Sequence, residues 1–560
     1  MTEPRTAFPA RRRRIATIGI TAAIVLGGGA ALAGQLLSDE PPAPTASPST
    51  ATPTTAPPTA AAPTAAPAPT IDAPGYDPDP GPFSLTPLAD ASADLVVTEL
   101  AYDADATRSE HALGFSFEAT ELASPMWGSA DSNLEPMLAA LDRPILRFGG
   151  QLVDRRMWWT SSDEPAPEWA RATVTPADLE RVAATAESVD AQVTIALDLG
   201  HDDPERAADM AGHVQRIFGD RLLAVSIGNE PNGFHYPDDA ERSIRDGSWG
   251  TGAYQESLRT YADAFEQEAP GVPIAGPGAY DAAWWRAFTE TELPTTEALS
   301  MHWYPLYSCA GADAHAAATI ENLTSPLMRE RAQSFIGRGV EAADELGLPL
   351  WVEETGHTSC SGGNETTRTH AQAVWTADFA LTLQETGAER IALHSTLQAC
   401  QGGAPMSPVC ATGTAEAPGE LVMGRANFLA MMQVGWLPDG QVLTPSAGGD
   451  GRVFVHGVLG DDGSLALLVI DLRDPAGGEG AAPVEVAAPS GLPDGAPSTW
   501  TLAEGSRLSA DSWADTVSSL GAPAPVIGAF ADAPLSTDRP LTITSEPGST
   551  TLLTFAPAAP

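Results

Sequence analysis

The sequence predicts an α/β fold, a (β/α)₈ TIM barrel followed by a C-terminal β-sandwich domain. Two observations predict it. Between residues 111 and 435, short apolar stretches alternate eight times with amphipathic stretches of helical period, a pattern typical of a parallel barrel. From residue 436 to residue 560 the helical period disappears. The short apolar stretches there are separated by Gly, Pro and Asp, which favours an antiparallel sandwich.

The segment ahead of residue 83 is predicted to be a targeting region and a linker. In residues 1–34, the basic block Arg11–Arg14 precedes the uncharged apolar run Ile15–Leu32, and Ala31-Leu32-Ala33 matches a signal cleavage site. The run also has the length of a membrane span, so a cleaved signal peptide and a retained membrane anchor both remain open. Either one predicts an extracellular location. Residues 35–82 are rich in Pro, Ala and Thr and are expected to form a disordered linker.

The folded part is predicted to begin with residues 83–110, whose strands join the sandwich. The eight barrel strands are then predicted at Ala112–Ala119, Pro144–Gly150, Ala191–Leu199, Leu222–Glu230, Val272–Gly278, Ala298–Tyr304, Pro349–Gly356 and Arg390–Thr396. Helices are predicted between them at Pro176–Asp190, Pro204–Phe218, Tyr254–Glu268, Leu327–Leu346 and Thr367–Thr386. The sandwich strands are predicted at Arg452–Leu459, Ser464–Leu472, Ala482–Ala488, Ser498–Ala503 and Leu541–Phe555.

The charge balance excludes several classes of partner and chemistry. The chain carries 73 acidic and 29 basic residues, a formal net charge of −44. A surface this acidic repels nucleic acid and anionic lipid, so no nucleic-acid partner is expected. Every basic residue is an arginine, which excludes a Schiff-base lysine and lysine-bound cofactors. No histidine cluster has ligand spacing, so neither a metal nor another cofactor is expected.

The cysteine pattern predicts two disulfide bonds. Cys309, Cys360, Cys400 and Cys410 lack the CxxC spacing of a zinc site. An even number of cysteines in an exported protein favours pairing, with four free thiols as the alternative. We expect the pairs Cys309–Cys360 and Cys400–Cys410.

Two predicted strand ends carry glutamates that suit paired carboxylate chemistry. The fourth strand ends in Gly228-Asn229-Glu230-Pro231 and the seventh in Glu353-Glu354-Thr355. Functional residues of a barrel lie at the carboxyl ends of its strands, so these carboxylates are expected to face each other across the mouth. A retaining glycosidase needs such a pair, one carboxylic acid to protonate the leaving oxygen and one carboxylate roughly 5 Å away to attack the anomeric carbon. A structural Asn-Glu pair at a turn is the alternative.

The choice of nucleophile lies between two adjacent glutamates. Because alternate residues of a strand face opposite sides, only one of Glu353 and Glu354 is expected to point inward. The other is expected to be exposed or salt-bridged.

Three polar residues near these carboxylates are expected to bind substrate or support the reaction. Asn229 is expected to hydrogen-bond a sugar hydroxyl. Tyr304, at the end of the sixth strand, is expected to hydrogen-bond the nucleophile, and His302 is expected to line the site.

The first two strands and the loop behind them supply further candidates. Arg147 is expected to keep the nucleophile ionised, or else to pair only with Glu118. Glu118 is expected to accept hydrogen bonds from sugar hydroxyls. Trp159, with its neighbour Trp158, is expected to stack on a sugar ring, or else to lie in the core.

The combination of motifs resembles one known enzyme family. The motifs are Leu113-Gly114-Phe115-Ser116-Phe117-Glu118, Leu146-Arg147-Phe148-Gly149-Gly150 with Trp158-Trp159, Gly228-Asn229-Glu230-Pro231, His302-Trp303-Tyr304, and Glu354-Thr355 with Gly362-Gly363. Between about residues 110 and 435 they resemble glycoside hydrolase family 79, a family of barrel glycosidases in clan A that includes β-glucuronidases and heparanase. The trailing sandwich fits the layout of that family.

The resemblance implies a retaining β-glycoside hydrolase of the β-glucuronidase type. It implies Glu230 as acid/base and selects Glu354, in its Glu-Thr segment, as nucleophile. It also implies that Gly362 and Gly363 supply backbone N–H groups to a sugar carboxylate. The tyrosine that the family uses beside this glycine pair is absent here, and His357 is the candidate to replace it. The alternatives are another clan A activity (β-xylosidase, β-glucosidase or endo-glycanase) and a non-catalytic carbohydrate-binding wall protein.

Overall fold

The computed structural model describes residues 70–85, 96–104, 106–108, 110–447, 449–528, 530–531, 534–536 and 538–558. The predicted signal peptide or anchor, residues 1–34, lies outside these ranges, as does most of the predicted linker. Within the described ranges, no helix is both long and apolar enough to cross a membrane.

Eight parallel strands close into a barrel in chain order, which confirms the predicted fold class. They are β1 (Leu113–Glu118), β2 (Ile145–Gly149), β3 (Gln192–Leu197), β4 (Leu222–Ile227), β5 (Ile274–Ala279), β6 (Thr296–Trp303), β7 (Leu350–Thr355) and β8 (Ala388–His394). The strands are buried on both faces, which explains their nearly continuous apolar sequences.

The helices surround the barrel and join its strands. They are α1 (Leu134–Ala139), α2 (Pro176–Ser188), α3 (Pro204–Phe218), α4 (Thr251–Glu268), α5 (Ala282–Thr289), α6 (Ile320–Leu323), α7 (Leu327–Asp344), α8 (His370–Thr386) and α9 (Ala426–Gly435). Side-chain caps fix where several of these helices begin. Thr175 and Asp178 form a capping box at α2, and the Asp203 side chain accepts from the amide of Arg206 in α3.

The barrel interior is closed below the mouth by one large ring among small side chains. Trp351 of β7 packs against Ala224, Ala275 and Ala298 from β4, β5 and β6. The alanines leave room for the indole, so the lower interior is filled by side chains. Functional groups are thereby confined to the upper end of the strands.

A β-rich domain follows the barrel. Its strands are Gly440–Ala447, Val453–Gly460, Leu465–Asp471, Ala482–Val486, Thr499–Ser509, Ser519–Gly521, Ala524–Ile527, Pro534–Ser536, Leu541–Ser545 and Thr550–Pro557. The strand Val96–Ala101 lies between Gly440–Ala447 and Ala482–Val486 in this sheet. The predicted single strand Leu541–Phe555 is wrong, because a turn at Pro547-Gly548 divides it into two.

The predicted linker ends earlier than expected. Residues 70–82 belong to the folded part, where Tyr76–Asp77 pairs with Ser519–Gly521 of the β-rich domain. Ala73 is buried, and Ile71 and Tyr76 pack against the same core. Apolar residues therefore mark the start of the fold more closely than the Pro-rich composition does.

Both predicted disulfides are present. Cys309–Cys360 joins the loop after β6 to the loop after β7, with 5.4 Å between the Cα atoms. Cys400–Cys410 links the chain after β8 to a hairpin of strands Val409–Gly413 and Pro418–Gly424. The first bridge restrains two neighbouring loops at the barrel mouth.

A buried ionic cluster joins the helix layer to the β-rich domain. His456 of the strand Val453–Gly460 lies between Asp378 and Glu385 of α8, with ring nitrogens 2.9 and 2.6 Å from their carboxylates. Arg329 of α7 also contacts Asp378 at 2.7 Å. Burial by itself lowers the pKa of His456, but the two carboxylates raise it to about 9. The imidazole is therefore a cation in the folded protein at neutral pH.

We expect the protein to lose stability as the pH rises through about 9. The folded pKa of His456 lies above the unfolded value of about 6.5, so the stabilisation is complete below the lower value and is lost towards the upper one. The difference between the folded and unfolded pKa values corresponds to ~3 kcal/mol in the free energy of unfolding. Urea unfolding at about pH 6 and about pH 9.5 measures it. His456→Gln is expected to unfold more easily at the lower pH and to respond less to pH, and an unaltered response would contradict the assignment.

Candidate active site

The two predicted carboxylates meet at the carboxyl end of the barrel. Glu230 follows β4 and Glu354 lies in β7, with β5 and β6 between them in the ring of strands. One carboxylate oxygen of each glutamate and a ring nitrogen of His302 all lie within 4.8 Å of one another. Carboxyl groups about 5–5.5 Å apart are typical of retaining glycosidases, whereas inverting enzymes need about 6.5–9.5 Å. The spacing leaves no room for a water molecule and a sugar between them.

Glu230 is presented by a strained backbone. Its φ and ψ of 48° and 57° are left-handed, which is unusual for a residue other than glycine. The amide of Glu230 donates to the carbonyl of Gly278 at the end of β5, at 3.1 Å. Its Oε1 lies 3.2 Å from Nδ1 of His302, and one fifth of the side chain (20%) stays exposed. A ligand in the mouth can therefore reach this carboxyl.

Glu354 lies deeper and is surrounded by donors. Arg147 donates to its Oε2 at 2.6 Å and the Tyr304 hydroxyl donates to its Oε1 at 2.8 Å. Nδ1 of His394 lies 3.6 Å from Oε1. Burial by itself raises the pKa of Glu354, but His302, His394 and Arg147 hold it well below the ordinary value. Glu354 is therefore ionised, and Arg147 already balances its charge.

The neighbouring Glu353 also points into the barrel, contrary to the prediction that only one of the two glutamates does so. Its Oε2 accepts from the hydroxyl of Ser226 at 3.4 Å. Ser226 belongs to β4, three strands away from β7, so this contact passes through the barrel interior. The side chain is only 4% exposed, and the structure places it against a hydroxyl and not in a salt bridge.

A β-bulge explains how two adjacent glutamates face the same way. Met301 of β6 pairs with Val352, but the next residue, His302, pairs with Glu354. The extra residue in β7 breaks the strand alternation, so the two glutamates do not face opposite sides as predicted. Glu353 lies below the site, and Glu354 lies in it.

Glu353→Gln is expected to keep most of the activity. The amide has the shape of the carboxyl group and can still accept from Ser226. The affected hydrogen bond is worth about 1 kcal/mol, so we expect a loss in kcat/KM below about tenfold. Steady-state kinetics on an aryl glycoside measure it. A loss as large as that expected for changes at Glu354 would contradict this placement.

Asn229 is fixed by one end of its amide and free at the other. Its Oδ1 accepts from Arg147 at 2.6 Å and from the amide of Gly150 at 3.0 Å. Its Nδ2 is buried and has no partner in the structure. The backbone amide of Asn229 donates to Asp154 at 2.9 Å, and Asp154 also accepts from two amides after β3. This leaves an oriented N–H donor beside the carboxylate pair.

Glu118 lies at the end of β1, two strands away from β7 in the ring. Its Oε2 accepts from the amide of Leu152 at 3.0 Å. Burial raises its pKa to about 7, an effect that His394 opposes and Glu354 strengthens. Gly150 is required beside it, since an added Cβ would lie 2.2 Å from Oε2. Arg147 thus pairs with Glu354 and not with Glu118.

The contacts of Trp158 and Trp159 do not support the expected stacking on a sugar ring. Trp159 is 2% exposed, and its indole N–H donates to Asp209 of α3 at 2.7 Å, which directs the ring into the helix layer. Trp158 is half-buried under the guanidinium of Arg206, 3.7 Å from the ring centre. The core alternative holds for Trp159.

His357 is likewise buried. Its side chain is fully buried and packs edge-on against Trp375 of α8. Burial lowers its pKa to about 3, so the ring is neutral and unsuited to pairing with a carboxylate. Gly362 and Gly363 lie in an exposed turn after β7 and their predicted contact with a sugar carboxylate stays a prediction.

Two site residues were missed in the sequence. His394 ends β8 beside Glu354, and the rule that selected Tyr304 and Arg147 from strand ends would also have selected it. Asp154 follows β2 in an irregular loop, where no periodicity indicates the direction of its side chain. Its role is visible only from the three amides it accepts from.

Known structures share this fold. A 4-O-α-L-rhamnosyl-β-D-glucuronidase from Fusarium oxysporum 12S matches with a TM-score of 0.62 and 17% identity, over 82% of this chain and 100% of its own. A family 51 arabinofuranosidase from Xanthomonas axonopodis pv. citri matches with 0.59 and 18%, over 82% and 100%. A family 44 xyloglucanase from Paenibacillus polymyxa matches with 0.51 and 10%, over 83% and 100%.

No protein-family model matches the sequence, and no curated protein matches it. At these identities the structural likeness establishes the fold, a TIM barrel with a β-rich domain. The neighbours named above are all glycoside hydrolases.

Proposed function

We propose that the protein is a retaining glycoside hydrolase with Glu354 as nucleophile and Glu230 as acid/base. The observation that carries the proposal is the spacing of the two carboxylates together with their unequal surroundings. Their oxygens lie within 4.8 Å, which suits a double displacement. Glu354 is ionised and held by Arg147 and Tyr304, while Glu230 is partly exposed.

The proposed reaction has two steps. In the first, Oε of Glu354 attacks the anomeric carbon while Glu230 gives its proton to the leaving oxygen, so that a glycosyl ester forms and the glycosidic bond breaks. In the second, Glu230 takes a proton from water, which attacks the same carbon and releases Glu354. Two inversions return the original configuration. Nδ2 of Asn229 is the free donor for the sugar 2-hydroxyl.

For the glycone we propose a β-D-glucuronide, in line with the resemblance to family 79 and with Gly362 and Gly363 as carboxylate donors. A neutral glycoside is the second candidate. The burial of His357 favours the neutral glycoside. With His357 buried, the loop after β7 offers no tyrosine or histidine side chain to bind a sugar carboxylate. The two disulfides fit the proposed extracellular location.

Hydrolysis of a panel of 4-nitrophenyl glycosides tests the function. The panel contains β-D-glucuronide, β-D-xyloside, β-D-glucoside and α-L-arabinofuranoside, the last because solved neighbours are arabinofuranosidases. We expect cleavage of one glycone well above the others, with NMR of the first product showing retained configuration. Binding of sugars without cleavage would favour a carbohydrate-binding protein, and an inverted first product would refute the double displacement.

A further inference from the structure

Two strongly exposed aromatic side chains follow neighbouring strands of the barrel. Among the described residues, the large exposed aromatic rings are Tyr280, 52% exposed, and Tyr307, 45% exposed. Tyr280 directly follows β5, and Tyr307 comes shortly after β6. These are the two strands that separate Glu230 from Glu354 on this side of the ring.

The other arc of the mouth has a different chemistry. The ends of β8, β1 and β2 carry His394, Glu118 and Arg147. Arg147 and His394 contact Glu354, and Glu118 is buried beside them. Ionic and hydrogen-bonding groups of this kind suit the hydroxyls of the sugar ring that Glu354 attacks.

Tyr280 is close to the acid/base residue. The carbonyl of Gly278, just ahead of Tyr280, accepts from the amide of Glu230 at 3.1 Å. Burial first, and then the negative charge of Glu230, raise the pKa of Tyr280, while a hydrogen bond with Asn232 opposes the rise. Tyr280 is therefore a neutral phenol beside Glu230, with half of its surface open to solvent.

We propose that Tyr280 is the platform for the leaving group, and that this group is a pyranose ring that stacks on the phenol. The inference rests on the proposed function. Glu230 must touch the glycosidic oxygen, and the leaving group departs on the side away from Glu354. The ring beyond that oxygen then lies on the Glu230 side of the mouth, where Tyr280 offers a strongly exposed aromatic ring. The apolar C–H face of a pyranose gains by covering an exposed aromatic face.

Three substrates that share one glycone test this. A glycosyl fluoride has no ring in its leaving group, a 4-nitrophenyl glycoside has an aromatic ring, and a disaccharide has a pyranose. For Tyr280→Ala we expect the ratio of kcat/KM for the disaccharide to kcat/KM for the fluoride to fall by about tenfold, the effect of one stacking contact. The matched control Tyr280→Phe keeps the ring and is expected to keep the ratio.

Each other outcome overturns the inference in a recognisable way. An unaltered ratio in Tyr280→Ala, or an equal fall in Tyr280→Phe, would show that the ring face binds no leaving group. A loss confined to the 4-nitrophenyl glycoside would assign the platform to aromatic leaving groups and refute the pyranose. If the wild-type protein cleaved none of the three substrates, the proposed function itself would fail and this inference with it.

Discussion

Glu354→Gly is expected to reduce turnover by about 10⁴-fold or more, the range seen when a group that acts directly on the substrate is removed. Glu354 is the carboxylate whose ionised form the site maintains, because Arg147 and Tyr304 donate to its two oxygens. Without it the anomeric carbon has no attacking group. The fold should persist, since the side chain lies at the mouth and not in the apolar core.

An external anion provides the decisive measurement for this variant. Glycine leaves a space where the carboxylate stood, and azide can attack the anomeric carbon from that side in a single displacement. We expect azide to restore turnover of a 2,4-dinitrophenyl glycoside and to give a glycosyl azide of inverted configuration by NMR. The matched control is Glu353→Gly, which removes the adjacent glutamate. If azide rescued that variant instead, the nucleophile would move one residue upstream.

The barrel could be predicted because the same sequence pattern repeats along the chain. Parallel strands buried on both faces give continuous apolar runs, and eight such runs alternate with amphipathic helices. The strand-end rule then selected Glu230, Arg147 and Tyr304, which the structure brings together around Glu354. Each of these follows from chain direction and strand position alone.

The structural features that were not predicted leave no periodic pattern in the sequence. A single extra residue in β7 turns both Glu353 and Glu354 inward, and a pattern of alternation cannot contain it. Trp159 ends the short strand Met157–Trp159 and His357 lies in a loop, and the hydrogen bond to Asp209 and the packing on Trp375 decide which way each ring points. Those contacts join residues distant in sequence, so composition and spacing give no indication of them.

Glu230→Gln is expected to lower kcat/KM by about 10²–10⁴-fold on a disaccharide and much less on a 2,4-dinitrophenyl glycoside. A sugar leaving group needs a proton as the bond breaks, whereas dinitrophenolate leaves without one. The glutamine keeps the size of the side chain and its position near His302, so the change isolates the proton transfer. With the activated substrate, the first step stays fast and the glycosyl ester on Glu354 accumulates, because no base assists water.

Azide separates this variant from the one at Glu354. It needs no base, so it should release the accumulated ester of Glu230→Gln and give a glycosyl azide of retained configuration, after two displacements. The variant should also release a burst of dinitrophenolate before its slow steady state, because the ester accumulates. Glu353→Gln serves as the control and should show neither effect. An equal loss on both classes of leaving group, or an azide product of inverted configuration, would remove Glu230 from the acid/base role and leave it as a residue that only binds the sugar.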